Sequence, residues 1–222
     1  MKFSALVGLS ALLVATMAIS GCRSRYEWHQ KLTVVVETPD GIVSGNAVQA
    51  AKYEKNVWFA AVNGAPSQIY LRGEAVVIPI AKDKYLFMLL PKGSLAYEMY
   101  TLSSQGTAGS RIAKMLSVRR RPIEVPLQDA PPFAMFGDIE DPNSAHFVNV
   151  EGKYQEANGF SIKSVSLEIT NEAVTDGAID DILPWLNDQK IMKNPHWSTL
   201  SKIAKETISR LRSVEWRDIH DY

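Results

Sequence analysis

The stretch "KLTVVVETPDGIVSGNAV" constrains the fold more than any other part of this 222-residue chain. A β-branched run from Leu32 to Val36 leads into Pro39-Asp40-Gly41, which is a turn sequence, and apolar and polar residues alternate again from Ile42. Strand-forming residues on both sides of a tight turn are typical of a β-hairpin. The sequence therefore predicts an antiparallel strand pair, against which the rest of the chain has to pack.

Further apolar runs predict more strands. "EAVVIPIA" and "KYLFMLLP" are almost unbroken and are separated by Lys82-Asp83-Lys84, which is typical of strands buried on both faces. Pro79 lacks the N–H group that a strand ladder needs, so we expect its strand at a sheet edge or at a bulge. The segments 133–136 and 162–169 predict two later strands.

Three segments have helical spacing of apolar residues. Residues 112–116 predict a short helix that ends at Arg119–Arg121, because cations are favoured at a helix C-terminus. Residues 179–183 predict a second helix, which Pro184 ends or kinks. Residues 197–216 predict an amphipathic helix, although the alternating "VEWRDIHDY" can also form a short strand or an exposed tail. The apolar face of that last helix contains Leu200, Ile203, Ile208 and Leu211.

The N-terminus has the layout of a secretory signal. Lys2 precedes an apolar run from Phe3 to Ile19, which is short for a transmembrane helix because spanning a bilayer takes about 20 apolar residues. The run ends in "ISGC", which resembles the lipobox of bacterial lipoproteins. The resemblance implies that Cys22, the only cysteine of the chain, is acylated and that the residues before it are removed. An ordinary buried cysteine that follows an apolar stretch is the alternative.

Arg23 bears on the location of the protein. In enterobacterial lipoproteins an Asp directly after the acylated cysteine resembles an inner-membrane retention signal, and Arg23 stands at that position here. We therefore expect a protein that is anchored to a bacterial membrane by its acyl chains and faces the periplasm, with the outer membrane favoured. The membrane is thus its first predicted partner.

The strand and helix patterns together predict an α+β fold, with a mostly antiparallel sheet or sandwich-like body and helices late in the chain. About 200 residues remain after the leader, which is enough for a hydrophobic core. We expect a signal peptide at residues 1–21, a short polar tether at 22–30 and a single globular domain at 31–222. A sub-boundary within this domain is expected near 122–132, where the sequence is rich in proline.

Three stretches together resemble a known group of proteins: "LTVVVETPDGIVSGNAV", "MFGDIEDPNSAHFVNVE" and "SLEITNEAVTDGAIDDILPWL". The group comprises short, uncharacterised proteobacterial proteins, many with lipoprotein leaders, which combine a "VETPDG" hairpin, a central Asp-Pro segment and a late "LPWL". The resemblance covers most of the mature chain. It implies an envelope lipoprotein and transfers no catalytic residue.

The acidic turn at Asp138, Glu140 and Asp141 is a candidate metal site. Its carboxylates are ligands of the kind that Ca²⁺ binds, but the segment lacks the spacing of an EF-hand. Asp141-Pro142-Asn143 is also ordinary turn chemistry, which favours a structural interpretation.

Asp176, Asp180 and Asp181 are candidates for acid–base catalysis. On a helix, residues four apart lie on one face, so two of these carboxylates can act together, provided that burial raises the pKa of one of them. Acidic residues in the first turn of a helix also stabilise its dipole, and this structural alternative needs fewer assumptions.

The remaining candidates are for binding. Arg119, Arg120 and Arg121 form a basic cluster that can contact anionic head groups or simply be a solvated helix end. Trp185 can line a ligand cleft or pack in the core. His146 is the most promising of the four scattered histidines, although a structural role is the simpler interpretation.

The composition and the absence of known motifs make several classes of function less favoured. The chain has 24 basic and 24 acidic residues, so its charge indicates no attraction to nucleic acid. It contains no HExxH, GxSxG, Walker or CxxC motif, and we expect no cofactor. We therefore favour a non-catalytic binding or scaffolding role with an envelope protein as partner. The alternatives are an envelope hydrolase that uses residues 138–146 and 176–181, and a carrier with an apolar cavity for a hydrophobic ligand.

Overall fold

The chain forms two antiparallel sheets, which confirms the predicted α+β fold with a sheet-rich body. The three described α-helices all follow the fifth strand: α1 (Leu95–Ser103), α2 (Gly109–Leu116) and α3 (Lys202–Ser209). The structure is a computed structural model, and it describes residues 24–55, 67–103, 107–118, 121–150, 159–187 and 198–218.

Ten strands are described. Their bounds are β1 (Ser24–Thr38), β2 (Gly41–Lys55), β3 (Gln68–Glu74), β4 (Val76–Ala81), β5 (Lys84–Met88), β6 (Ile123–Glu124), β7 (Phe133–Phe136), β8 (Ala145–Val148), β9 (Ser161–Thr170) and β10 (Arg212–Asp218). Sheet A has the order β10-β3-β2-β1-β9-β6, and sheet B has the order β4-β5-β7-β8. The strands predicted at 133–136 and 162–169 are therefore present as β7 and β9.

The predicted hairpin is confirmed, and it is longer than the sequence indicates. β1 and β2 pair along their whole length, from Ser24 opposite Lys55 to Thr38 opposite Gly41. Residues 24–30, which composition assigns to the tether, are therefore the first half of β1. Although this segment is polar, every second side chain of β1 from Trp28 onward is buried.

Sheet B contains the two predicted apolar strands as the hairpin β4–β5. Pro79 lies in β4, which is an edge strand with a register shift between Pro79 and Ala81, so both expectations for this proline are confirmed. The predicted burial on both faces is found for β5, because its successive residues Leu86, Phe87 and Met88 are all fully buried. In β4 the burial mostly alternates.

Sheet B is covered on both faces, so the core has two parts. The first part joins the two sheets and the helices α1 and α2; among its members are Leu32, Val34, Ile78, Leu86, Met88, Leu95, Ile112 and Leu167. The second part lies between the other face of sheet B and the late chain; it includes Phe87, Leu89, Phe136, Ile179, Leu183, Leu186, Ala204, Ile208 and Leu211. The segment 122–132, predicted as a sub-boundary, carries the chain from β6 in sheet A to β7 in sheet B.

The helix predictions are confirmed only in part. α2 corresponds to the helix predicted at 112–116, and it ends at Leu116. The helix predicted at 179–183 is wrong, because this segment forms turns that lead into a 3₁₀ helix at Pro184–Asn187. Its apolar residues are buried as predicted, but they belong to an irregular segment that is fitted onto sheet B.

The long amphipathic helix predicted at 197–216 is also corrected. The described helix α3 is shorter, and residues 212–218 form β10, which pairs with β3 at the edge of sheet A. The alternative prediction, a short strand in the final residues, is therefore the correct one for residues 212–218. Ile203, expected on the buried face, is 42% exposed. Without β10, the outer edge of β3 would have unpaired backbone N–H and C=O groups. Residues 212–218 can pair with these groups as a strand but not as a helix.

Candidate functional site

A cleft at the end of β3 combines a buried carboxylate with a polar lining. We call it the Glu74 cleft; its volume is about 280 Å³. It lies between the last residues of β3, the first residues of β10 and the segment 173–176. Arg72, Glu74, Thr175, Asp176 and Ser213 are among its lining residues.

The backbone conformation of the residue before Glu74 is one that favours glycine, and it positions Glu74. The preceding residue, Gly73, has a φ of +135°, which L side chains rarely adopt. A Cβ atom at Gly73 would lie 3.1 Å from the Cα atom of Gln49, so the close approach of β2 also disfavours a side chain here. β3 ends at Glu74, whose side chain is only 2% exposed.

Both carboxylate oxygens of Glu74 accept backbone hydrogen bonds. Oε1 accepts from the N–H of Gly177 at 2.7 Å, and Oε2 accepts from the N–H of Ile179 at 3.3 Å. Burial raises the pKa of Glu74, whereas the two backbone hydrogen bonds lower it. The charges of Asp180 and Asp176 add to the increase in pKa. Glu74 therefore caps the turns that begin at Gly177.

Thr175 attaches the same segment to β2. Its N–H donates to the carbonyl oxygen of Val48 at 2.9 Å, and its Oγ1 accepts from the N–H of Val48 at 2.9 Å. The described pairing of β2 with β3 covers Ala50–Glu54, so Val48 lies beyond it. Thr175 thus satisfies backbone groups of β2 next to the cleft.

A buried chain of polar side chains connects the cleft to α1. Gln49 donates to the carbonyl oxygen of Glu74 at 3.1 Å, and Gln30 donates to Oε1 of Gln49 at 3.0 Å. Ser94 donates to Oε1 of Gln30 at 2.7 Å, and the N–H of Ala96 donates to the same oxygen at 3.3 Å. Gln30, Gln49 and Ser94 are fully buried, so these hydrogen bonds replace the water that the amides lose.

The sequence interpretation missed Glu74, Gln30 and Gln49. Gln30 does carry a signal, because it falls in the same alternating register as Trp28 and Leu32. Glu74 directly precedes an apolar run, which is an ordinary place for an exposed charge. Its partners lie more than 100 residues later, so no local pattern reveals its burial.

The acidic turn at 138–144 uses its carboxylates to stabilise its own backbone. Oδ1 of Asp138 accepts from the N–H of Glu140 at 2.9 Å, and Oδ1 of Asp141 accepts from the N–H of Asn143 at 2.9 Å. Ser144 closes the turn, because its Oγ lies 2.7 Å from the carbonyl oxygens of both Asp138 and Asp141 and donates its single proton to one of them at a time. These contacts favour the structural interpretation of Asp138, Glu140 and Asp141 over a metal site.

Trp185 and His146 each contact the backbone of this turn. Trp185 is partly buried, its Nε1 donates to the carbonyl oxygen of Ile139 at 2.6 Å, and its ring packs edge-on against Phe136. His146 is exposed on the edge strand β8, and its Nδ1 lies 3.1 Å from the carbonyl oxygen of Ser144. Trp185 therefore joins the late chain to sheet B.

The three late aspartates have different surroundings. Asp180 forms an ion pair with Arg212, whose side chain also donates to the carbonyl oxygen of Leu186 at 3.1 Å. Asp176 is exposed and lines the Glu74 cleft, and Asp181 is exposed. Because residues 178–182 form turns, the helix face that was to present two of these carboxylates is not formed.

Several predicted residues lie outside the described part of the chain. These are the signal peptide at 1–21, the lipidation candidate Cys22, and Arg119 and Arg120 of the basic cluster. Arg121 is described, and it is exposed.

Two further clefts are smaller. One, of about 240 Å³, lies beside Trp28 and Thr170, and the other, of about 170 Å³, lies beside Pro131 and Phe147. None of the three clefts brings the 138–146 turn together with the late aspartates, because no residue of this turn lines any of them, whereas Asp176 lines the Glu74 cleft.

The described residues include neither a metal-binding cluster nor a membrane-spanning helix. Within the described ranges, no three His, Cys, Asp or Glu side chains are grouped closely enough to bind a metal ion. No helix in that same part of the chain has the length and apolar character needed to cross a membrane.

Comparison with known proteins gives no match. No protein-family model, no curated protein and no solved structure is similar to the chain. The resemblance to the proteobacterial group described above therefore stays a prediction.

Proposed function

We propose that this protein is a lipid-anchored component of the bacterial envelope with a non-catalytic binding or scaffolding role. The observation that carries the proposal is "ISGC", which ends at Cys22 directly after an apolar leader. Acylation consumes the single thiol, and several buried acyl chains at about 0.8 kcal/mol per CH₂ group make the attachment effectively permanent. The folded body then acts at the membrane surface, and an envelope protein is the proposed partner.

Three of the carboxylates near the candidate sites are held by contacts within the fold, which favours binding over catalysis. A general acid or base needs a carboxylate that is available to a substrate. Both oxygens of Glu74 accept backbone hydrogen bonds, Asp180 is paired with Arg212, and Asp138 stabilises a turn. These groups stabilise the fold. A substrate that reacted with one of them would have to break its hydrogen bond or ion pair.

The packing between sheet B and the late chain bears on the carrier alternative. A carrier needs an apolar cavity there. Buried side chains occupy this region instead, including Phe87, Leu183 and Ile208. This supports a filled core and a role that uses the surface of the protein.

The anchor is tested by expressing the full chain in a Gram-negative host and analysing the N-terminal peptide of the membrane-bound protein by mass spectrometry. We expect cleavage before Cys22, acylation of Cys22 and recovery with the outer membrane. Cys22→Ala is expected to lose all three properties. Ser20→Ala is the matched control, because it keeps a small residue in the lipobox. An unmodified Cys22 in the natural chain would contradict the proposal.

The binding role is tested separately. The acylated protein is cross-linked in intact envelopes, and we expect one recurrent protein partner that Cys22→Ala loses and Ser20→Ala retains. Purified protein is also assayed with ester, phosphoester and peptide substrates. Turnover that disappears in the exposed-site variant Asp176→Asn, with unchanged thermal unfolding, would favour the hydrolase instead.

A further inference from the structure

The first strand begins almost at the proposed anchor. β1 starts at Ser24, so Arg23 is the single residue between Cys22 and the sheet. Two peptide units span at most about 7 Å, even when fully extended. A linker of this length cannot let the folded body rotate freely, so the end of the sheet that contains Ser24 has to lie close to the lipids.

Several strands end together at this position. Ser24 is paired with Lys55, and Glu54 is paired with Gln68. In the same way, Tyr70 near the start of β3 is paired with Asp218 at the end of β10. The start of β1, the end of β2, the start of β3 and the end of β10 therefore form one end of sheet A, which we call the proximal end.

The side chains of the proximal end have the character of a membrane interface. The half-buried Tyr26 has its ring centroid 6.4 Å from that of Tyr53, which is buried in the core. The half-buried Lys52 has its Nζ atom 4.5 Å from the centroid of Tyr70 and forms an ion pair with Glu54. Arg25 has a side chain that is 52% exposed and that forms an ion pair with Glu27. Tyrosine is enriched at the head-group level of membranes, and long cationic side chains lie along apolar surface while their charges reach the polar layer.

The opposite end of the hairpin has a different character. Pro39 and Asp40 form the exposed turn, and Ile42 beside it is 71% exposed. β1 contains 15 residues, and at about 3.3 Å per residue it extends roughly 45 Å from the proximal end. Residues 38–42 of this turn include no lysine, arginine or tyrosine that could interact with lipid head groups.

We propose that the proximal end of sheet A rests on the lipid head groups, and that the β1–β2 hairpin extends away from the bilayer and presents the Pro39–Ile42 turn to the periplasm. This inference rests on the proposed acylation of Cys22. The exposed Ile42 then lies at the tip, roughly 45 Å from the membrane by the strand rise given above. The short connection limits the distance of the proximal end from the lipids, and the half-buried Tyr26 and Tyr70 together with the exposed Arg25 favour the interface.

The test uses the fact that acylation blocks the only native thiol. Lys55→Cys, Asn46→Cys and Asp40→Cys each introduce one reactive thiol, at the proximal end, the middle and the tip of the hairpin. Each acylated variant is labelled with an environment-sensitive fluorophore and placed in vesicles of phosphatidylethanolamine and phosphatidylglycerol that contain a lipid with a nitroxide head group. Quenching then reports the distance of each label from the head groups.

We expect quenching several-fold stronger at position 55 than at position 40, with an intermediate value at position 46. Equal quenching at all three positions means that the hairpin lies flat or is randomly oriented, and it overturns the inference. Stronger quenching at position 40 also overturns it. Mass spectrometry of the same samples separates the two proposals, because an unacylated Cys22 refutes the anchor, whereas an acylated Cys22 with equal quenching refutes only the orientation. Thermal unfolding of each variant is compared with that of the natural chain.

Discussion

The Glu74 carboxylate accepts a 2.7 Å hydrogen bond from the backbone N–H of Gly177, a residue 103 positions further along the chain. This contact joins the end of β3 to the segment that leaves β9 in sheet A and then packs against sheet B. The neighbouring bond from Ile179 extends it, and Ile179 is itself fully buried in the second part of the core. One acidic side chain therefore positions the chain that completes this core.

Glu74→Ala is expected to destabilise the protein. It leaves the N–H groups of Gly177 and Ile179 without their acceptor, and a buried unsatisfied donor costs about 1–3 kcal/mol. The free energy of unfolding from urea titration measures the loss. Glu140→Ala is the matched control, because Glu140 is exposed in a turn. Equal losses for the two variants would show that the Glu74 contacts contribute nothing to stability.

The titration of Glu74 makes stability depend on pH. Burial raises the pKa of Glu74 above the ordinary value of 4.5, so the folded state takes up this proton at a higher pH than the unfolded state. The stability contributed by that proton is fully present below pH 4.5 and is lost as the pH rises through the folded-state pKa. We expect the natural chain to lose stability relative to Glu74→Gln over this window, as measured by urea unfolding from about pH 4 to about pH 8.

Two other carboxyl groups act outside that window. Hydrogen bonds from Lys163 and Lys31 hold the pKa values of Glu37 and Glu172 below 4.5. Their contributions are present above pH 4.5 and are lost only as the pH falls through their folded-state pKa values. A difference between the natural chain and Glu74→Gln that stays constant above pH 4.5 would therefore contradict the assignment to Glu74.

Gly45→Ala is expected to disrupt the contact between the two sheets. A Cβ atom at Gly45 would lie 2.0 Å from the carbonyl oxygen of Val77, so β2 or β4 would have to move. Overpacking of this kind costs about 1–3 kcal/mol, and more where backbone is involved. Gly137→Ala is the control, because its nearest contact would be an ordinary 3.7 Å. Thermal unfolding compares the variants, and an unchanged Gly45→Ala would mean that the sheets are less closely packed.

Ser201→Ala is expected to weaken α3. Ser201 is the N-cap of this helix, and its Oγ accepts from the N–H of Ala204 at 3.0 Å. Loss of such a cap costs about 1 kcal/mol. Ser201→Asp keeps an acceptor and adds a favourable charge at the helix N-terminus, so we expect it to retain the stability of the natural chain. Chemical unfolding separates the two variants, and a similar loss in both would argue against the cap.

Predictions from the sequence hold where the physical cause is local. Pro39-Asp40-Gly41 between strand-forming residues predicts a hairpin, and the hairpin forms with Gly41 at φ +128°. Pro79 predicts an edge strand because it lacks a donor, and β4 is an edge strand. In both cases the responsible groups belong to the turn or strand that they determine.

Predictions fail where a distant partner decides the outcome. The polar segment 24–30 becomes a strand because β2 supplies a full ladder of partners for it, from Lys55 opposite Ser24 to Gln49 opposite Gln30. Residues 212–218 continue as a strand because the edge of β3 is available. The apolar residues of 179–183 are buried without a helix, since the backbone of this segment is held by Glu74.

The sequence by itself determined the turn of the β1–β2 hairpin and the strands β4, β5, β7 and β9, because β-branched residues, proline and glycine restrict the backbone at their own positions. It also carries the leader and Cys22, from which the proposed anchor follows. Only the tertiary structure decided which polar groups are buried: Gln30, Gln49 and Glu74 lose their water when distant strands and turns meet. Their hydrogen-bond partners are set by that packing, so the polar interior depends on the whole fold.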